Sequence, residues 1–240
     1  VGQLPYSPEE PCAYFGDRPS RYRGFQVETP LPEPVSERLF ASGFRRCGTA
    51  WYQTGCARCR QCISYRIPVS GFRPTRSLRR VWRRNDDIHC TFTAPQSSPE
   101  KELMYLSYQR SQHTAAASRQ TDEDLLQSME VQMYPNPSAS RELELRDGSG
   151  RLVAFGIIDV AADSASAVYI VFDPESKHRS PGTLAILHGI SWAQEQGFRY
   201  FYLGFYIPAH PKMEYKSHFG PAQILDRDSG EWVLFDDSAR

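Results

Sequence analysis

The chain has 240 residues, of which 40% are hydrophobic and 23% are charged, and its formal net charge is zero. Such a chain can bury a sizeable core, as one large domain or as two closely packed lobes. It has no apolar run of roughly 18 residues, which excludes a membrane-spanning helix. Its first residues, VGQLPYSPEEPCAYF, lack the basic and then apolar pattern of an export signal, so we expect a cytoplasmic protein.

The zero net charge conceals two regions of opposite sign. Residues 1–95 carry 15 arginines and 8 acidic residues, whereas residues 96–240 carry 13 basic and 20 acidic residues. Residues 38–85 contain neither a carboxylate nor a lysine, but they contain 12 arginines. Guanidinium groups bind phosphate in a bidentate manner, and a merely solvated surface would mix both signs. The pattern therefore indicates contact with a nucleic acid.

The clearest element of the N-terminal region is a helix expected between residues 74 and 85. Its apolar residues fall at i, i+3 and i+4, and its arginines fall at i, i+3, i+4, i+7 and i+8. Thr75 or Ser77 can cap its start, and Asn85 can end it. The residues expected to anchor it are Leu78, Val81 and Trp82. The arginines expected on its cationic face are Arg76, Arg79, Arg80, Arg83 and Arg84.

The order of the other elements predicts two regions. Residues 1–95 form a Cys- and Arg-rich N-terminal lobe, with a helix expected from Pro34 to Gly43 and strands near 50–53 and 63–68. Expected after residue 96 are helices at 99–113 and 122–129, strands at 140–146, 151–160 and 165–172, a helix at 183–196 and a strand at 200–206. Three strands, a helix and a further strand are the order of a GNAT acyltransferase core. We therefore predict an α+β fold in which residues 96–240 form a GNAT-like lobe, a mixed sheet flanked by helices.

Three cysteines, Cys56, Cys59 and Cys62, are separated by two-residue gaps, the spacing that brings successive sulfurs to one metal ion. Tetrahedral zinc needs one more ligand, for which the remaining thiols are Cys12, Cys47 and Cys90. An iron-sulfur cluster is an alternative, although the run lacks the fourth cysteine before proline that ferredoxins carry. Reduced, partly buried and inert thiols are the other alternative. Disulfides do not fit a cytoplasmic protein.

Two segments of the second region carry further candidate residues. Gly182 and Thr183 open the expected helix, where free backbone N–H groups favour an anion, although a plain structural helix start fits them as well. The segment that follows the strand at 200–206 combines tyrosine, histidine and lysine. Tyrosine hydroxyls can orient an amine, and Lys212 or Lys216 can hold a carboxylate or phosphate. Packed aromatic residues and solvated lysines are the alternative.

Taken in order, these segments resemble the aminoacyl-tRNA-protein transferase family, and specifically its bacterial branch, the aspartate/glutamate leucyltransferases related to eukaryotic arginyltransferases. The resemblance runs from Pro11 to about Leu225. Its most specific pieces are Pro11-Cys-Ala-Tyr14, Ala50-Trp-Tyr52 with the cysteine run, Phe72-Arg-Pro-Thr-Arg-Ser77, Arg83-Arg-Asn85, Val168-Tyr169 with Phe172-Asp-Pro174, Ser180-x-Gly-Thr183, Tyr202-Leu-Gly-Phe-Tyr206 and Lys212-Met-x-Tyr-Lys216. One segment departs from it: family members commonly carry Arg-His and a Gly-rich stretch where this chain has Ser111-Gln-His113-Thr-Ala-Ala-Ala117.

The resemblance implies an enzyme that transfers leucine from leucyl-tRNA to the N-terminal amine of proteins beginning with Asp or Glu, which marks them for degradation. Arginine is the alternative donor residue. The arginine helix would hold the tRNA acceptor stem, the reaction would require no cofactor, and we expect a monomer. Expected at the reaction centre are Tyr169, Tyr206, Tyr215 and Lys216. Expected to bind substrate are Arg66, His113, Asp173, Gly182, Thr183 and Lys212. The expected ligands of a zinc ion or iron-sulfur cluster are Cys12, Cys56, Cys59 and Cys62.

Three other functions fit parts of the sequence. A GNAT enzyme that uses acyl coenzyme A would carry a full Gly-rich pyrophosphate loop, which this chain lacks. A non-catalytic RNA-binding module explains the arginines and cysteines but leaves the Tyr and Lys cluster without a role. A family member with altered specificity would agree with the departure around His113.

Overall fold

The structure, a computed structural model, describes residues 4–112, 118–135 and 138–235. Its helices are α1 (Glu33–Ala41), α2 (Arg76–Arg84), α3 (Pro99–Gln112), α4 (Asp122–Met133) and α5 (Pro181–Glu195). Short 3-10 helices cover Val69–Gly71, Pro174–Arg179 and Glu214–His218. Within the described ranges, no helix is long and apolar enough to cross a membrane.

The strands form one large mixed sheet and two small sheets. They are β1 (Glu10–Pro11), β2 (Pro19–Ser20), β3 (Tyr22–Gln26), β4 (Arg45–Cys47), β5 (Ala50–Thr54), β6 (Ile63–Pro68), β7 (His89–Thr93), β8 (Ala139–Arg146), β9 (Leu152–Val160), β10 (Ser164–Phe172), β11 (Tyr200–Tyr206), β12 (Gln223–Leu225) and β13 (Trp232–Leu234). The large sheet has the order β13-β12-β6-β11-β10-β9-β8-β7, in which only the β10–β11 pair is parallel. The small sheets are β1-β2 and β3-β5-β4. Strands β6 and β7, which precede residue 96, therefore lie in the same sheet as β8 to β11.

Helices cover both faces of the large sheet. Strand β9 is buried along nearly its whole length, as expected for a strand covered on both sides. Its Ile158 packs in one cluster with α5, whereas Phe155 and Ile157 pack in another with α3 and α4. The antiparallel strands β8 to β10, the helix α5 and the parallel strand β11 follow in the order expected from the sequence. The predicted α+β fold, with a mixed sheet flanked by helices, is confirmed.

Helix α2 forms where its periodicity predicts it, but one of its expected anchors is wrong. Thr75 Oγ1 accepts a hydrogen bond from the Leu78 N–H at 3.3 Å, and Asn85 ends the helix. Leu78 is buried at 2% exposure, whereas Trp82 is 41% exposed. Helix α2 packs against a single helix, α5, so only a narrow stripe of its surface is covered, and Trp82 lies at the edge of that stripe.

A buried ion pair fixes β4 to the large sheet. Arg46 Nε and Nη2 donate to the two carboxylate oxygens of Asp159 at 2.6 and 2.8 Å, and both side chains are fully buried. Arg46 Nη1 also donates to the Gly48 carbonyl oxygen at 2.9 Å, and the Ser140 hydroxyl donates to Asp159. These additional hydrogen bonds offset the cost of removing two charges from water.

Because the pair is buried, removing one partner leaves a charge without a counter-ion. We expect Arg46→Met or Asp159→Leu each to lower the free energy of unfolding by about 3–5 kcal/mol. The double variant buries neither charge, so its free energy of unfolding should fall by clearly less than the sum of the decreases in the two single variants. Urea denaturation of the four proteins measures this coupling. Additive losses would show that the two side chains do not depend on each other.

Candidate active site

The candidate active site is a cleft where β10 and β11 separate. The two strands pair over three residues, ending at Ser166 with Tyr202, and both strands are fully described beyond that point without further pairing. The register of β10 against β9 shifts between Ala167 and Tyr169, and that of β11 against β6 shifts between Tyr202 and Gly204. Bulges bend the strands that carry them, so two bulges at the same level open the sheet.

The guanidinium group of Arg45, from β4, lies in this cleft. Its Nη2 donates to the carbonyl oxygens of Val168 at 3.3 Å and Ala167 at 3.5 Å, and its central carbon lies 5.3 Å from the centre of the Phe205 ring. Gly204 has φ of +74°, and a Cβ there would lie 1.6 Å from Arg45 Nη1. In the described part of the chain no carboxylate is paired with Arg45. The cation is therefore available to an anion that enters the cleft.

Lys216 is a second cation in the same place. It is 5% exposed, and its Nζ donates to the Phe205 carbonyl oxygen at 2.6 Å. Burial first, and then the charge of Arg45, hold the pKa of Lys216 well below the ordinary value for lysine. A buried amine of this kind loses its proton more readily than an exposed lysine, and its neutral form can accept one.

Tyrosines from three elements lie near one another, and one of them, Tyr215, adjoins the cations. The Tyr169 hydroxyl on β10 accepts a hydrogen bond from Gln109 Nε2 at 3.0 Å, and the Tyr108 ring on α3 lies edge-on at 6.4 Å from the Tyr169 ring. Tyr215 interacts electrostatically with both Tyr108 and Arg45. Burial raises the pKa of Tyr108 and Tyr169. Tyr215 is 37% exposed, and an exposed phenol has an ordinary pKa of about 10. All three phenols therefore remain protonated and can donate hydrogen bonds at neutral pH.

Lys212 joins this group from the loop after β11. Its Nζ donates to the carbonyl oxygen of Gln112, the last residue of α3, at 3.0 Å. Its backbone N–H donates to His210 Nδ1 at 3.2 Å, so the proton of a neutral His210 is on Nε2, which donates to the Tyr14 carbonyl oxygen at 3.1 Å. This chain of contacts ties the loop to the N-terminal region. His113 lies outside the described residues.

Arg66 and Tyr206 are not brought to the cleft. Arg66 is 7% exposed, and its guanidinium donates to Gln223 and to the Tyr202 hydroxyl. The same group packs between the rings of Tyr200 and Trp232, at 3.7 and 4.2 Å from their centres. Tyr206 is 1% exposed and lies in the core. Its side chain points to the opposite side of β11 from that of Phe205, whose ring contacts Arg45.

The other expected substrate-binding residues lie around the start of α5. Asp173 accepts hydrogen bonds from the Glu175 N–H and the Ser176 hydroxyl, both at 2.9 Å, which is the pattern of a turn. Gly182 faces the Phe172 ring, and Thr183 follows it in the first turn of α5. The side chain of the N-cap residue, Ser180, makes no capping hydrogen bond.

The four cysteines expected to bind a metal line one small pocket, together with Tyr14 and Tyr22. The pKa of Cys62 is raised to about 12, first by burial and then by the other three sulfurs. Ionised thiols repel one another, and a bound metal cation would offset that repulsion. The four cysteines therefore suit a soft metal ion chemically. Among the described residues, however, no group of three or more His, Cys, Asp or Glu is arranged so that it could hold a metal ion. Cys47 and Cys90 do not line the pocket.

The expected nucleic-acid contact is a continuous surface of α2. All five of its arginines are exposed. None of them forms an ion pair with a carboxylate of the described ranges, although Arg84 donates to the His178 carbonyl oxygen at 2.6 Å. The helix therefore presents five unneutralised cations to solvent.

Comparison with known proteins identifies the family of this chain. The family models described as arginine-tRNA-protein transferase, N terminus and C terminus, match residues 10–80 and 100–226. An aspartate/glutamate leucyltransferase of Leptospira interrogans is 40% identical over 99% of this chain and 93% of its own length. One of Hahella chejuensis is 34% identical over 95% of this chain and 94% of its own length. The chain belongs to the arginine-tRNA-protein transferase family. Among solved structures, that of FemX is similar with a TM-score of 0.46 and 10% identity, over 81% of this chain and 67% of that chain.

Membership of the arginine-tRNA-protein transferase family confirms the family and the aminoacyltransferase class predicted from the sequence. Of the residues expected at the reaction centre, the structure brings Tyr169, Tyr215 and Lys216 together. Sequence analysis missed Arg45 and Tyr108, which complete the group. The only sequence signal for Arg45 is its place in the stretch without carboxylates, which it shares with eleven other arginines.

Gly204 is required both for its left-handed backbone and for the close approach of Arg45. A methyl group at this position would displace the guanidinium, so we expect Gly204→Ala to lower the rate of transfer about tenfold or more, since small displacements at reaction centres have effects of this order. The matched control is Gly148→Ala, where the nearest atom to the new Cβ is 3.9 Å away. Transfer rates and melting temperatures of both variants check the prediction, and an unchanged rate in Gly204→Ala would contradict it.

Proposed function

We propose that this chain transfers leucine from leucyl-tRNA to the N-terminal amine of proteins that begin with Asp or Glu, and so marks them for degradation by the N-degron pathway. The names of its relatives support this donor and these acceptors. The observation that carries the proposal is the cleft itself, in which Arg45 and the buried Lys216 lie beside protonated tyrosines. Charged tRNA and protein substrates meet in the cytoplasm, where such an enzyme would act.

The chemistry requires one proton transfer and the stabilisation of one negative charge. The neutral α-amine of the acceptor attacks the ester carbonyl of the aminoacyl-adenosine, and an N–C bond forms. Neutral Lys216 takes the proton that the attacking nitrogen then carries and passes it to the ribose oxygen as the ester C–O bond breaks, so the ribose leaves as its hydroxyl. Arg45 and the Tyr215 hydroxyl donate to the oxyanion of the tetrahedral intermediate. Because the ester is already activated, positioning and electrostatics suffice without a covalent enzyme intermediate.

The substrates would be held by groups around the cleft. The N-terminal acidic side chain of the acceptor would meet Lys212, which lies at the end of α3 next to the tyrosines. The exposed arginines of α2 would bind the phosphates of the tRNA acceptor stem. Arg66, predicted to bind substrate, and Tyr206, predicted at the reaction centre, would instead have structural roles, since both side chains are engaged in packing.

A structural zinc ion or iron-sulfur cluster is proposed at Cys12, Cys56, Cys59 and Cys62. When bound, it would cross-link the loop after β1 to the loop between β5 and β6. The sulfurs would have to draw closer than they lie in the structure. The transfer reaction itself is proposed to need no cofactor, since the ester supplies the free energy.

Transfer of radiolabelled leucine and arginine, each carried on its own tRNA, to model proteins starting with Asp, Glu or Ala tests the function. We expect leucine on the Asp and Glu proteins only. Lys216→Met should lower the rate about 100-fold or more, as loss of a general base does, without a lower melting temperature, since a buried amine destabilises the fold below its unfolded pKa. The exposed Lys177→Met is the control.

The pH dependence of the transfer rate separates the role of Lys216 from that of the acceptor amine. In the wild type the rate should rise as Lys216 and the acceptor amine lose protons, and the limb that belongs to Lys216 should lie well below pH 10, because its pKa is lowered. The Lys216→Met profile should keep only the limb of the acceptor amine. Arginine transfer would retain the mechanism and change the donor. No transfer from either tRNA, with salt-sensitive tRNA binding intact, would contradict the proposal and favour an RNA-binding module.

Metal analysis of the purified chain tests the cysteine site. We expect about one zinc ion per chain, or iron and sulfide in the amounts of a cluster. Cys59→Ser and Cys62→Ser should lose the metal and melt at a lower temperature, whereas Cys90→Ser, outside the pocket, should retain it. A wild-type chain that contains no metal and does not bind added zinc would contradict the site.

A further inference from the structure

A groove lies between α2 and α5, outside the cleft described above. Its volume is about 490 Å³, which is within the range of small-ligand sites. Phe72, Trp82 and Leu187 supply its apolar surface, and Arg79 and Arg83 stand at its rim. An apolar groove with two cations suits a flat apolar group that is attached to negative charge.

Trp82 is the central feature of this groove. It is 41% exposed although it is the largest apolar side chain of α2. Its ring packs on His188 of α5, with centres 4.7 Å apart and planes tilted by 32°. Burial lowers the pKa of His188, so the supporting ring is neutral at neutral pH. The indole is therefore supported on one side by a second ring, and its exposed part lines the groove.

The charges around Trp82 favour a nucleotide over an apolar peptide or a lipid chain. Helix α2 carries five exposed arginines and no acidic residue. Among the described residues no carboxylate lines the groove, whose polar members besides the arginines are Ser191 and Gln194. Aromatic rings set among cations are the pattern by which proteins bind single-stranded nucleic acids, with bases stacked on the rings and phosphates on the cations.

The groove lies next to the proposed reaction centre. Phe72 stacks on Phe219, with ring centres 6.5 Å apart and planes 21° apart, and Phe219 in turn lies 6.5 Å from the ring of Tyr215. Two aromatic side chains therefore separate the groove from the cleft. A nucleotide bound in the groove would be close, along an RNA chain, to an ester held beside Tyr215.

We propose that Trp82 stacks on a base of the single-stranded 3′ end of the tRNA, with the flanking phosphates held by Arg79 and Arg83. This inference rests on the proposed function, which supplies the tRNA, and it adds a site for the unpaired nucleotides to the phosphate contacts of α2. The site would fix the 3′ end between the acceptor stem on α2 and the ester in the cleft.

Binding of uncharged tRNA at several salt concentrations tests the site without any transfer reaction. We expect Trp82→Ala to weaken binding about tenfold or more, with an unchanged salt slope, and Trp82→Phe to retain most of the affinity. Arg79→Ala should instead reduce the slope by about one. Leu103→Ala, which removes another exposed apolar side chain, should bind like the wild type. A tRNA that lacks its four unpaired 3′ nucleotides should bind equally to Trp82→Ala and to the wild type.

The outcomes distinguish this inference from the proposed function. If leucine is transferred but Trp82→Ala binds intact tRNA as the wild type does, the inference fails and the function stands. If no amino acid is transferred and Trp82→Ala still loses affinity only for intact tRNA, the function fails and the site stands. A raised KM for the acceptor protein, with tRNA affinity unchanged, would assign the groove to the protein substrate and overturn the inference.

Discussion

The buried ion pair of Arg46 and Asp159 determines where the active-site cleft has its cation. It joins β4, from the three-stranded sheet, to β9 in the middle of the large sheet. Arg45 precedes Arg46 on the same strand, and successive side chains of a strand point in opposite directions. Because the Arg46 side chain binds Asp159 on one face of β4, the Arg45 side chain points from the other face into the gap between β10 and β11. One bidentate contact therefore sets the position of a neighbouring charge that has no carboxylate partner in the described ranges.

The cleft depends equally on irregularity in the sheet. A continuous β10–β11 pairing would leave no room for Arg45, whose hydrogen bonds go to carbonyl groups of the bulged residues. Gly204 permits the same opening from the β11 side, through a backbone conformation that other residues rarely adopt. Lys216 donates to a backbone carbonyl of the same strand. Burial first, and then the charge of Arg45, lower the pKa of Lys216, so of the two cations the lysine is the one that can lose its proton.

The sequence predicts most of this fold and part of this site. The sequence pattern was sufficient for α2 and α5, which show a helical repeat, and for β8 to β11, which read as apolar runs or alternating residues bounded by turns. It was insufficient to predict the exposure of Trp82. A helical repeat indicates which face of α2 is apolar, but it does not indicate how much of that face the neighbouring helix covers. It also could not separate Tyr206, which points into the core from β11, from Tyr215, which lies in a 3-10 helix after that strand, because the sequence pattern does not indicate which of the two faces the cleft. Arg45 and Arg46 are adjacent and identical in type, and only the position of Asp159 in three dimensions distinguishes them.

The stretch without carboxylates has a physical reason that the structure makes clear. Eight of its twelve arginines have three separate environments: Arg46 is neutralised by a distant acid, Arg66 is enclosed by aromatic rings, and Arg45 and the five α2 arginines have no acidic partner in the described residues. A local Asp or Glu would pair with Arg45 or with α2 more easily than any substrate could, since a partner within the chain has no loss of translational freedom to offset. The absence of acids from residues 38–85 therefore leaves Arg45 and the α2 arginines without a carboxylate partner among the described residues, as the proposed binding of tRNA phosphates and the proposed charge in the cleft require.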